Sequence, residues 1–233
     1  MPRQAAEESL EELRSLQSQG NYQECISQAQ AFPSLFSDLL DTARAIEAAC
    51  SRANDENTLQ RAVDIASQPN ADLQKAIDTA ATVSSNSPVY EDSQNRILQW
   101  QKIILQGYLT NDVPKQFPED FANLPMLQPT VEQITAEQVT ISYDTSGNPR
   151  RATEDGIRTY TTVFMELLRG NGEMIEPKYV GFTRLVVYPR QGNQQGILSA
   201  DDWQTYLDGK VSAATSKIQL ADQLRSQIQI ADR

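Results

Sequence analysis

Four prolines, Pro114, Pro118, Pro125 and Pro129, fall in the short stretch 107–129, GYLTNDVPKQFPEDFANLPMLQP. Each removes a backbone donor and pushes the residue before it out of the helical region, so no helix or central strand is expected to cross the segment. The pattern ahead of it is helical; the pattern behind it is strand-like and ends in a long polar stretch of helical period. The sequence therefore divides into an α-helical repeat-like domain at 1–106, a proline-rich connector at 107–129, a small antiparallel β region at 130–198 and a long C-terminal helix at 199–233. The fold class expected is α+β.

In the first part, Leu10, Leu13 and Leu16 recur at helical spacing behind the acidic Glu7 and Glu8, which suit the positive end of a helix. Gly20-Asn21 breaks the run, and Tyr22, Cys25, Ile26 and Ala29 restart an apolar face. Pro33 opens a third helix reaching Ile46, and Asn54 or Asp55 is placed to cap a fourth that runs to Ala66 before Pro69-Asn70. A fifth helix follows from Leu73 to Ala80, and a sixth from Pro88 through Trp100 and Ile104. Two segments look like copies, CISQAQAFPSLFSD from Cys25 and AIDTAATVSSNSPVYED from Ala76. Each has a small-residue helix, a proline-containing turn and an aliphatic-aromatic pair, with Asp38 and Asp92 two residues beyond the aromatic.

Leu16, Gly20-Asn21-Tyr22, Cys25-Ile26, Ala29 and Pro33 together resemble one tetratricopeptide helix pair, over about residues 10–50. In such a pair glycine permits close approach, tyrosine fills the gap between the helices and proline ends the second one. The resemblance implies stacked helices that bind a protein or peptide.

Charge and residue content narrow the chemistry. The formal charge of −11 argues against a nucleic-acid backbone as partner. Histidine is absent, which excludes a Ser-His-Asp or Cys-His site and the usual imidazole metal ligands. With only Cys25 and Cys50 present there is no four-thiolate zinc site. Two buried reduced thiols are the preferred reading, a bridge being open if their helices pack together. No apolar run approaches the roughly 20 residues needed to span a bilayer, and the start has no apolar leader, so a cytoplasmic chain without membrane insertion is expected.

Beyond the prolines, VTISYD alternates as a half-buried strand does, and two further segments, RTYTTVFMELL at 158–168 and YVGFTRLVVYP at 179–189, read as strands from their β-branched and aromatic residues. From Ser199, Trp203, Leu207, Val211 and Ile218 recur at helical spacing, and Leu220, Leu224 and Ile228 add apolar surface. That surplus is more than a small sheet can cover, so these seven residues are the expected partner-binding face. Phe117 and Phe121 in FPEDFANLP are expected docking residues.

No nucleotide, calcium or serine-nucleophile motif is present, and neither cofactor nor metal is expected. The leading expectation is a non-enzymatic scaffold or adaptor that binds protein, or itself, through stacked helices and an exposed C-terminal helix. One alternative is a structural subunit of a larger symmetrical assembly, such as a filament, tube or shell. Another is a hydrolase built on carboxylates near the strands: Glu132, Glu137, Asp144, Glu154 and Asp155.

Overall fold

A computed structural model describes residues 2–116, 124–170, 175, 177–179, 181–211 and 217–233, apart from the side chains of Pro2, 210–211 and 217–219. The chain is mixed α+β and divides into two compact units, Met1–Trp100 and Gln101–Arg233.

The first unit contains α1 (Pro2–Ser18), α2 (Tyr22–Gln30), α3 (Ser37–Ala66), α4 (Leu73–Ala80) and the start of α5 (Tyr90–Gly107). Ala6, Leu10, Leu13 and Leu16 line the buried side of α1 and pack with Cys25, Ala29 and Phe32 and with Ala43, Ile46 and Cys50 of α3. Gly20, at φ +77°, makes the turn into α2. Cys25 and Cys50 are joined in a disulfide inside this core, their Cα atoms 6.3 Å apart, which corrects the preferred reading of two reduced thiols. Neither cysteine is solvent-exposed.

A second core forms where the C-terminal half of α3, through Leu59 and Ala62, meets Ala76, Ile77 and Ala80 of α4 and Ile97 and Trp100 of α5. The helix break expected at Asn54-Asp55 does not occur, for α3 runs unbroken over 30 residues. Asp55 is buried there and accepts from the Ser84 amide at 3.5 Å, so its carboxylate serves the turn after α4 instead of starting a helix. Caps do appear where the sequence offers clean ones: the Asp72 side chain accepts from the Lys75 amide at 3.0 Å to start α4.

In the second unit α5 continues through a π-helical turn (Tyr108–Asp112) into α6 (Val113–Gln116), and α7 (Leu124–Leu127) follows. Short helices thus lie within the proline segment at both ends of its described residues. Pro114 and Pro125 each occupy the second position of a short helix, where the missing N–H has no intrahelical acceptor to lose.

The sheet has the order β1 (Thr130–Ile134), β2 (Gln138–Tyr143), β3 (Arg184–Pro189), β4 (Gln194–Ser199), β5 (Gln229–Asp232). It is mixed and not purely antiparallel, because β2 and β3 pair in parallel through the crossover helix α8 (Glu154–Arg169). Such a pair needs a long connection. The strand expected at 158–168 is the body of that helix. Its β-branched residues are accommodated because Thr159, Thr161 and Thr162 return their hydroxyls to the carbonyls of Asp155, Ile157 and Arg158 at 2.8–3.0 Å. Ile157, Thr161, Phe164 and Leu168 form its buried stripe. Gly196 of β4 lies beneath it, where a Cβ would meet Thr161 Oγ1 and would sit 2.8 Å from Ile157 Cγ2.

The outer border of β1 is covered by α5: Gln106 donates to the Pro129 carbonyl at 2.9 Å and accepts from the Val131 amide at 2.7 Å, and Lys102 donates to the Glu132 carbonyl at 2.7 Å. The single long terminal helix is also corrected. The chain forms α9 (Ala200–Val211) and α10 (Lys217–Gln227) and then returns as β5, antiparallel to β4. Among the described residues no helix is long and apolar enough to cross a membrane, and no cluster of metal-ligating side chains occurs.

Candidate functional site

Of the residues expected to face a partner, Trp203, Leu220, Leu224 and Ile228 are instead buried, between 1% and 7% exposed. The Trp203 indole donates to the Gly170 carbonyl at 3.2 Å, which gives its one polar atom an internal partner. Gly209 of α9 allows α10 to close over it, with Leu220 Cδ2 2.8 Å from where a Cβ would stand. Leu207 is half-buried. Trp203, Leu220, Leu224 and Ile228 are core, and the expected exposed face is withdrawn for these four. The side chains of Val211 and Ile218, and the whole of Phe117 and Phe121, lie outside the described residues.

The carboxylates considered for hydrolysis are dispersed among separate structural ties. Glu132 accepts from the Ser142 hydroxyl at 2.5 Å, and Asp155 lies 3.6 Å from Arg225. Asp144 accepts from the Ser146 hydroxyl and amide, both at 2.7 Å, and from Gln191 at 2.6 Å. The Ser146 hydroxyl is the largest cause holding the Asp144 carboxyl below its ordinary range. Arg190, which donates to the Gln128 carbonyl at 2.6 Å, also favours the charged form of Asp144.

An open concavity lies in the helical unit, and the packing of α3 creates it. Ala43, Ile46 and Cys50 define its buried face in the first half; Asp55, Thr58, Leu59 and Ala62 define it in the second. At 3.6 residues per turn, the two faces differ by roughly 130°. The helix therefore packs α1 and α2 on one side and α4 and α5 on another. An open groove of about 840 Å³ remains over its middle, walled by residues 20–24 at the α1–α2 turn and by the Asn54–Asp64 stretch of α3. A second hollow of about 400 Å³ shares Asn54 and continues to the Ser84–Pro88 turn.

The walls are polar, and several of their side chains are uncommitted. Gln60 donates to Asp64 at 2.8 Å, and Arg61 donates to Thr58 at 3.0 Å. The side-chain amides of Gln23, Asn54 and Asn57 have no partner among the described residues. Sequence reasoning missed this groove. The available signal was the five-residue step from Cys50 to Asp55 between buried positions of one helix, which a three-or-four spacing cannot produce.

The fold and this groove define a class, a helical unit followed by a mixed five-stranded sheet with a polar cleft on the helices. Comparisons with protein-family models, curated proteins and solved structures find no match to the chain.

Proposed function

We propose that this chain is a non-enzymatic scaffold or adaptor that holds a protein partner in the groove of its helical unit. The observation that supports this most directly is the set of Gln23, Asn54 and Asn57 side-chain amides, without a partner among the described residues, on the walls of an open cleft. Solvated amides exchange water for a partner's polar groups at little cost, so such a wall suits binding better than chemistry. The tetratricopeptide resemblance of residues 10–50 agrees with this reading, since the groove opens at its Gly20-Asn21-Tyr22 turn. The C-terminal helix has no part in the proposal, because its described apolar side chains are largely internal.

The Cys25–Cys50 bridge supports a setting in which disulfides persist, in place of the cytoplasm expected from the sequence. Selection of displayed random linear peptides on the full chain tests the binding role. Enriched peptides should bind the wild-type chain and lose about tenfold in affinity when Asn54 and Asn57 are both changed to Ala, as two lost hydrogen bonds would require. Absence of enrichment, or binding indifferent to those changes in a chain of unaltered circular dichroism, would overturn it.

A further inference from the structure

We infer that the groove takes an extended peptide segment bearing lysine or arginine, gripped through its main chain; this rests on the protein-binding reading above. Each of the Gln23, Asn54 and Asn57 amides offers both a donor and an acceptor, the same pair that an extended main chain presents. A helical ligand keeps most of its N–H and C=O groups inside its own ladder, so it offers these amides only its side chains and end groups. Neutral amides also read no particular side chain; they fix the course of the backbone.

Charge selects among the segments that could lie there. Glu24 and Asp64 border the groove, and Asp55, only 7% exposed, lies in the wall of its continuation. On the other side of the balance, Arg52 of the second hollow pairs with Glu56 at 2.8 Å, and Arg61 stands in the lining of the first groove with Glu24 and Asp64. The chain as a whole carries −11, so its field draws a cationic segment and repels an acidic one. Among the described residues the Asp55 carboxylate has one contact, 3.5 Å from the Ser84 amide, and so retains acceptor capacity toward a donor entering the hollow.

Length follows from α3. The groove's own positions on α3, Asn54 to Asp64, span roughly 15 Å of helix, which about four to five residues of extended chain (about 3.3 Å each) would cover.

The test uses the full chain and displayed random linear peptides, followed by fluorescence anisotropy with synthetic copies of the enriched sequences. The enriched pool should be richer in lysine and arginine than the starting library. Replacing the basic residues with glutamate, or methylating two successive main-chain nitrogens, should each weaken binding about tenfold. Asn54→Leu, which keeps the size and removes donor and acceptor without adding a charge, should also weaken it. Peptides that depend on Asn54 and Asn57 but are acidic, or are indifferent to main-chain methylation, overturn this inference while leaving the protein-binding reading intact. Peptides that ignore both asparagines, or no enrichment at all, overturn both.

Discussion

Tyr143 lies fully buried at the end of β2, its hydroxyl donating to the Arg151 carbonyl at 2.7 Å and its ring 4.9 Å from that of Tyr160. Burial, more than the neighbouring Tyr160, raises its pKa well above the ordinary tyrosine value of 10.0. Burial moves Tyr108 and Tyr179 in the same direction. The native state thus prefers the neutral phenol. A group whose folded pKa is raised stabilises fully below its unfolded value, so stability should hold up to about pH 10 and fall as pH rises through the tyrosine range. An ultraviolet titration of tyrosinate should show a late class that appears together with loss of circular dichroism. Tyr143→Phe should cost about 1 kcal/mol at neutral pH, for the lost hydrogen bond, and move the alkaline transition upward. At this scale the sequence was informative about what a side chain is and weak about where it points. Trp203 and Ile228 look like apolar surplus in the sequence because their spacing shows a face without showing what covers it.

Among the elements, α8 and α3 show opposite ways in which local signals mislead. The threonines, tyrosine and valine of 158–168 give a strong strand signal, yet Thr153 caps a helix there and the apolar stripe has helical spacing. The tertiary need for a crossover between parallel β2 and β3 decides the matter, and that pairing is not local information. In α3, Asn54 and Asp55 carry the composition of a cap but lie mid-helix, because the turn after α4 makes use of Asp55. The helical character of residues 1–106 was legible from spacing alone; the turn of the buried face within one helix was not. Two measurements follow. Adding one alanine between Ser51 and Asn54 rotates one half of α3 by about 100° against the other, so it should lower the melting temperature far more than adding four, which is close to a whole turn. Reducing the Cys25–Cys50 bridge, which closes a loop of sequence separation 25, should destabilise the helical unit by about 3 kcal/mol in a guanidinium titration run with and without dithiothreitol. The bridge lies in the core, so the reductant should act only on unfolded chains.

For the molecule as a whole, the chain divides into two compact units, Met1–Trp100 and Gln101–Arg233, and ends in a strand. The last residues join the sheet beside β4, a long-range pairing that Gln-Ile-Gln-Ile at 227–230 hints at only by its alternation. One detail of that sheet governs how copies of the protein can meet. Along β1, the carboxamide of Gln106 stands in for a neighbouring strand, saturating one carbonyl and one amide, and the Lys102 ammonium occupies a further carbonyl. Lateral joining is thereby blocked on that side, so growth by strand addition must terminate after a single event at the β5 margin. Gln106→Ala would unseal the first margin, and light scattering over days should then report slow, concentration-dependent polymer where the wild type stays dispersed. A glutamine that occupies one edge of a sheet leaves strand addition to the other edge.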